Sequence, residues 1–225
     1  SAADGASVNA AGEVKGMDAG TAVISAKVAG QPAQGSLTVV STGAPLLPQA
    51  PAPTPAKPAK DVISVFSNAY TNVPVDFFNG YWQFSTAQTF DVKVNGDDIK
   101  RYTKLNFVGI QFTAPTIDAK KMTHFHIDIW TPDNIAPSNV FKILLVDIGP
   151  DGSFQGTDNT SHEITIPASQ LKSESWISID LPLSQFAGLT SRAHLAQIVL
   201  SGDVPNVFVD NIYFYDDGLG GGSSG

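Results

Sequence analysis

Apolar and polar positions alternate in short runs between residues 61 and 217. The run "HFHIDIW" at 124–130 is the clearest case: Phe125, Ile127 and Ile129 share one face of an extended strand, and His124, His126, Asp128 and Trp130 share the other. Comparable runs are "DVISVF", "YWQFST", "KLNFVGIQF", "VFKILLVDI", "HEITI", "WISIDL", "LAQIVLS" and "NVFVDNIYFY", with turn-forming "VNGDD", "TPDN" and "GPDGS" among them. Nine short strands without a clear crossover helix predict an all-β fold, an antiparallel β-sandwich of jelly-roll, galactose-binding-like type. Helix-like stretches are short, at "LSQFAG" or "SRAHLAQ".

The pattern changes upstream. Residues 1–42 offer about three strands, at Val14, Ala22–Val28 and Leu37–Val40, which is few for an independent sheet. Residues 43–60, "GAPLLPQAPAPTPAKPAK", alternate Pro with Ala and predict a semi-rigid polyproline-type spacer. The expected organisation is therefore a small β unit at 1–42, a linker at 43–60, a large β domain at 61–217 and a Gly/Ser tail at 218–225.

Composition narrows the function classes. Fifteen Pro, twenty Gly and 15% charged residues suit short strands and turns rather than long helices. A net charge of −8 without a basic block argues against a nucleic-acid partner. The absence of Cys excludes disulfides, zinc-thiolate sites and thiol catalysis. No apolar run approaches the ~20 residues that span a bilayer, so no direct membrane insertion is expected. The opening "SAADGASVNAAG" has neither the basic start nor the apolar stretch of a signal peptide, so export cannot be read from it.

Three stretches could carry chemistry. The row His124, His126, Asp128 and Trp130 could be a polar outer face, a metal site or a ligand-contacting face, and indole suits stacking on a sugar ring. In "VDFFNGYWQF", Phe77, Phe78, Tyr81 and Trp82 crowd around Asn79-Gly80; such a turn either tucks under the sandwich or binds a ligand. The loop "VDIGPDGSFQGTDNTSHE" sets Asp147, Asp151, Asp158 and Glu163 among glycines, but its spacing is not that of an EF-hand, and a solvated turn is the simpler account. Of the three Glu residues, at 13, 163 and 174, none forms an obvious carboxylate pair for glycoside hydrolysis, and no nucleophile elbow or phosphate loop is present.

Two resemblances add to this. "G-x-V-x-G-x-x-A-G-T-A-x-I-x-A", from Gly12 to Ala26, resembles the final third of a bacterial immunoglobulin-like (group 2) repeat, so residues 1–42 are expected to be a partial immunoglobulin-like β domain. The succession "DVISVFSNAYTNV", "KLNFVGIQF", "MTHFHIDIWTPD", "FKILLVDIGPDGSFQGTDNTSHEITI", "WISIDLPLSQFAGLTSRAHLAQIVLSG" and "VFVDNIYFY" resembles, over residues 61–215, the carbohydrate-binding-type jelly-roll domain of bacterial laminarinases and surface glycan-binding proteins. That resemblance implies a non-catalytic binder of a polysaccharide, with a β-glucan such as laminarin favoured. It also implies an extracellular or cell-surface setting within a larger multidomain protein, acting as a monomer. A structural calcium ion is implied at Asp210 and Asn68; the related modules carry Asp at the second position, so Asn68 brings an oxygen without its charge. The expected ligand-binding set is Trp130, Trp82, Tyr81, Phe78, His126, Asp128 and His124. A glycoside hydrolase and a structural spacer or adhesin are the alternatives, the latter requiring Tyr81, Trp82 and Trp130 all to be buried.

Overall fold

The computed structural model describes residues 6–9, 11–16, 19–32, 34–42 and 47–218. It divides into two compact units, Ser1–Leu47 and Pro48–Gly225. No helix among the described residues is long and apolar enough to cross a membrane.

The first unit holds β1 (Ala6–Val8), β2 (Val14–Gly16), β3 (Ala19–Ile24), β4 (Lys27–Val28), β5 (Gln31–Pro32) and β6 (Leu37–Thr42), paired antiparallel as β1–β2, β3–β6 and β4–β5. The strand expected at Ala22–Val28 breaks after Ile24 and resumes as β4, after which Ala29 and Gly30 take positive φ (51° and 83°) and turn the chain into the β4–β5 hairpin. Ala22 is the one buried apolar residue of this unit among the described residues.

The second unit is an antiparallel jelly-roll β-sandwich. Its strands are β7 (Val62–Phe66), β8 (Gln88–Val94), β9 (Asp97–Thr103), β10 (Phe107–Gln111), β11 (His124–Trp130), β12 (Val140–Asp147), β13 (Thr160–Pro167), β14 (Ile177–Pro182), β15 (Leu195–Gly202) and β16 (Val207–Tyr215). One sheet runs β10-β15-β12-β13, and the other β14-β11-β16-β9-β8, with β7 also on β16. The expected strand "YWQFST" is instead a loop, and β8 and β9 were not foreseen although their "VNGDD" turn was.

The core lies between the sheets. Phe125, Ile127 and Ile129 of β11 meet Ile179 and Leu181 of β14 and Val209, Ile212 and Phe214 of β16; Val108, Ile110, Phe141, Ile143, Leu145, Ile166, Ile198 and Leu200 face them from the four-stranded sheet. All nine residues of β16 are buried, so both of its faces are covered. Part of the outer cover is a second apolar cluster of Val94, Ile99, Trp130 and Phe208, with Val92 and Trp176 packed against it.

The rest of the cover is a surprise from the proline-rich segment. Pro48–Pro58 belongs to the second unit and lies on the outer face of the six-stranded sheet, with Ala52 buried. Proline has no N–H to offer, so the segment meets the sheet through its carbonyls. Trp176 Nε1 donates to the Ala50 carbonyl (2.8 Å), Asn211 Nδ2 to that of Pro53 (3.1 Å), and the Tyr70 hydroxyl to that of Lys57 (2.9 Å). From Pro48 onward the expected spacer is therefore a strap bound to the domain; residues 43–46 of the expected linker and 219–225 of the expected tail lie outside the described residues.

Candidate functional site

The outer face of the four-stranded sheet is built by alternation. Because Val108, Ile110, Ile198, Leu200, Ile143 and Leu145 point into the core, their neighbours along each strand point the other way. Strand register then arranges these neighbours in rows. The central row is Gly109, Val199, Leu144 and Glu163; on one side lie Gln111, Gln197, Val146 and Ser161, and on the other Phe107, Ser201, Lys142 and Thr165.

Trp82 fills the place where β10 has no side chain. A Cβ on Gly109 would stand 2.1–2.7 Å from Cη2, Cζ2 and Cζ3 of the indole, and one on Gly80 would stand 2.3 Å from its Nε1. A glycine within a strand marks close approach of another group, and here the group is a half-buried indole lying on the outer face. The result is an apolar stripe of Trp82, Val199 and Leu144. Amides border it on one side, where Gln197 Nε2 donates to Gln111 Oε1 (2.8 Å), and an ion pair on the other, Lys142 Nζ to Glu163 Oε1 (2.9 Å). Strands ~4.8 Å apart make the row roughly 14 Å long across β10 to β13, long enough for several pyranose rings.

The loop carrying Trp82 is anchored at both ends. Before it, Asp76 and Phe77 extend the sheet: the Asp76 N–H donates to the Gln111 carbonyl (2.8 Å) and the Gln111 N–H to that of Phe77 (3.0 Å). Within it, Tyr81 and Phe84 hold φ at +47° and +70°. Bulky residues in the left-handed region are outliers that cost about 1–3 kcal/mol each. Both are nonetheless exposed, Tyr81 at 64% and Phe84 at 82%.

The other expected ligand-binding residues lie elsewhere. His124, His126, Asp128 and Trp130 do face the outer side of the six-stranded sheet; His126 and Asp128 form a buried polar network, Trp130 joins the second core, and half-buried His124 lines a cavity of about 610 Å³ with Lys120, Pro182 and Asp217. Trp130 is only 4% exposed and packs edge-on against Phe208 at 5.3 Å, so it cannot act as a stacking platform. Buried His126 bonds through Nδ1 to Asp180 Oδ1 (2.9 Å), has Nε2 3.4 Å from Asp128 Oδ1, and stacks on Tyr213 at 4.5 Å. Burial alone would lower its pKa, but hydrogen bonds to Asp128 and Asp180, with their charges, outweigh it and raise the pKa to about 9. Asp128 is fully engaged, accepting from Ser178 Oγ (2.5 Å) and Asn211 Nδ2 (2.8 Å). His124 stacks on Tyr215 at 4.9 Å and bonds to Thr123 Oγ1 at 2.8 Å. Phe78 packs on the main core, edge-on to Phe66 at 5.4 Å.

The expected cation position can be tested on Asp210. This residue is fully buried, and its Oδ2 has no hydrogen-bond partner. Burial, with the negative charges of Asp97 and Asp128, pushes its carboxyl up to about 8. Asp97 and Asn68 line a cavity of about 250 Å³ together with Thr54 and Asn211, and the Asn68 amide is bonded to Asp98 at 3.3 Å. An orphaned carboxylate oxygen beside a second carboxylate is hard-donor chemistry that fits calcium. Among the described residues, no group of three or more His, Cys, Asp or Glu side chains is arranged to hold a metal, so backbone and amide oxygens would have to complete the shell.

No family model and no curated protein matches the chain. Solved structures with a similar fold do. A family 11 carbohydrate-binding module from Clostridium thermocellum, in complex with a β-1,3-1,4-mixed-linked tetrasaccharide, is 18% identical with a TM-score of 0.42, covering 60% of this chain and 85% of its own. A family 30 carbohydrate-binding module of a cellulosomal cellulase from the same organism is 14% identical with a TM-score of 0.49, covering 69% and 98%. The SGBP-B protein from a complex xyloglucan utilization locus in Bacteroides uniformis is 11% identical with a TM-score of 0.42, covering 94% of this chain and 61% of its own.

The sequence singles out Tyr81 and Trp82 but not the surface on which Trp82 lies. Gly109 carried a readable signal, as a lone glycine inside an alternating strand. Leu144, Val199, Gln111 and Gln197 carried none beyond their phase in the alternation.

Proposed function

We propose that the second unit is a non-catalytic module that binds a neutral polysaccharide, a β-glucan such as laminarin being the favoured ligand, on the outer face of its four-stranded sheet. The observation that carries this reading is the Trp82 indole lying over Gly109, level with Val199 and Leu144 and bordered by the Gln111–Gln197 amides. Pyranose rings are apolar above and below and hydroxylated at their edges, so an aromatic floor with hydrogen-bonding margins complements them. Glu163 and Asp76 are the carboxylates at the two margins. Glu163 stands on β13 and Asp76 in the loop that borders β10, at opposite ends of the sheet, more than roughly 14 Å apart by strand spacing, against about 5–9.5 Å for hydrolytic pairs. The sequence resemblance supports an extracellular, surface-tethered setting within a larger protein, with the module acting as a monomer.

Affinity electrophoresis and titration calorimetry with laminarin and mixed-linkage β-glucan test the reading. The parent chain is expected to bind without releasing reducing sugar. Trp82→Ala, which removes about 1–3 kcal/mol of stacked aromatic contact, is expected to weaken binding roughly ten- to a hundred-fold. Unchanged affinity in a folded Trp82→Ala variant would move the site off this face.

The calcium expectation at Asp210 and Asn68 is carried forward as a structural ion, with Asp97 as a further carboxylate beside Asp210. Adding calcium should raise the melting temperature of the parent but not of Asp210→Asn, and leave glycan affinity within about twofold, because the cavity lies on the other sheet. A parent melting temperature indifferent to both calcium and chelator would refute the ion.

A further inference from the structure

We propose that Phe84 is a further ligand contact and that Asn79 and Asn106 are positioning residues, which hold the loop from Asn79 to Thr86 in a strained shape before any glycan arrives. The inference rests on the glycan-binding reading of this face.

The starting point is an imbalance. Phe84 adopts φ +70° and is 82% exposed, so its backbone is held in an unfavourable conformation while its ring gains almost no burial within the chain. Tyr81, three residues earlier, repeats the pattern with φ +47° and 64% exposure. Glycine would satisfy both positions without strain and would bring no exposed apolar surface. Strain of this kind persists only where the surroundings over-determine it.

The surroundings are two asparagines and two hydroxyls. Asn79, 8% exposed, ties the neck of the loop: its Oδ1 accepts from the Tyr81 N–H (2.8 Å) and its Nδ2 donates to the Ala87 carbonyl (3.0 Å). Asn106 secures the far side, donating through Nδ2 to the Phe84 carbonyl (2.8 Å) and accepting at Oδ1 from the Thr86 N–H (2.8 Å). Ser85 Oγ donates to the Phe107 carbonyl (2.7 Å), and Thr86 Oγ1 to that of Lys104 (2.7 Å). The backbone of Phe84 is thereby fixed beside the start of β10, one row along from Gly109, where Trp82 lies. Trp82, over Gly109, and Phe84, tied to Asn106 just ahead of β10, are two residues apart on one loop. Their loop is ordered in advance, so the ligand need not supply the ordering entropy.

The test uses the whole chain with laminarin and mixed-linkage β-glucan, comparing the parent, Phe84→Gly, Phe84→Ala, Asn79→Ala and Asn106→Ala by calorimetry, thermal melting and amide hydrogen exchange. Phe84→Gly is expected to bind roughly tenfold more weakly while melting at or above the parent's temperature, opposite signs that a merely structural role would not give. Asn79→Ala and Asn106→Ala should weaken binding at temperatures well below their own melting points and speed exchange at the Tyr81 and Thr86 amides. If the parent binds and the Phe84 variants bind equally well, or lose stability and affinity together, the assignment of Phe84 is wrong although the glycan reading stands. Parental affinity in both asparagine variants would likewise remove the positioning role. If the parent binds neither glucan, the reading beneath the inference fails.

Discussion

Trp130→Ala is expected to lower the unfolding free energy of the second unit by about 3–5 kcal/mol, the range for emptying a buried aromatic site. The indole is enclosed by Phe208, Val94 and Ile99, with Val92 and Trp176 against them, on the far side of the six-stranded sheet from the main core. Its removal leaves a cavity that β-strands cannot easily collapse into, since Phe208 on neighbouring β16 is held by the ladder that fixes Trp130 itself. Guanidinium denaturation with fluorescence detection would show a lower midpoint with little change in slope. Glycan affinity of the folded protein should stay within about twofold, because Trp82 lies on the other sheet. An affinity loss comparable to that of Trp82→Ala would return Trp130 to the ligand site.

Stability is also expected to fall as pH rises past neutrality. The folded-state pKa of His126, about 9, exceeds the ordinary 6.5, so the imidazolium favours the native state. That contribution is fully present below about pH 6.5 and is lost as pH rises through about 9. Because Asp180 is half-exposed and its partnership is screened, the loss is on the order of 2–3 kcal/mol rather than the full Coulombic value. Denaturation curves at pH 6, 7.5 and 9 should fall further in the parent than in His126→Gln, which keeps only the loss from Asp210, whose carboxyl, raised to about 8, also favours the native state below that pH. Equal losses in the parent and in His126→Gln would mean that the imidazole is neutral at both ends.

Alternation made the sandwich legible. Phe125, Ile127 and Ile129 took the core face as their phase required, and so did Phe141, Ile143 and Leu145 of β12 and Ile198 and Leu200 of β15, whereas a bulge in the β11–β16 pairing shifts the phase of β16 between Val209 and Ile212. What alternation cannot report is what lies above the other face. Trp130 and Trp82 are chemically identical, and each lies outside the inter-sheet core. One is closed over by Val92 and Trp176, which are distant in sequence, and the other rests on a glycine at the margin of an open sheet. The loop "YWQFST" resembled a strand because its aromatics alternate; only the left-handed Tyr81 and Phe84 reveal the fold-over, and dihedral angles leave no compositional trace. The row His124, His126, Asp128 was noticed for the right reason, its concentrated polar chemistry. Its partners, Asp180, Ser178, Asn211 and the stacked tyrosines, come from other strands and make it a buried network.

The strap of Pro48–Pro58 has a practical bearing on how this domain can be cut out and joined to others. A fragment begun at Asp61, where composition places the boundary, would discard the carbonyls that receive the Trp176 indole, the Asn211 amide and the Tyr70 hydroxyl. It would also strip the cover from the face that buries Asp128 and Asp210. The severable joint in the chain lies ahead of Pro48, and a fusion partner should be attached there.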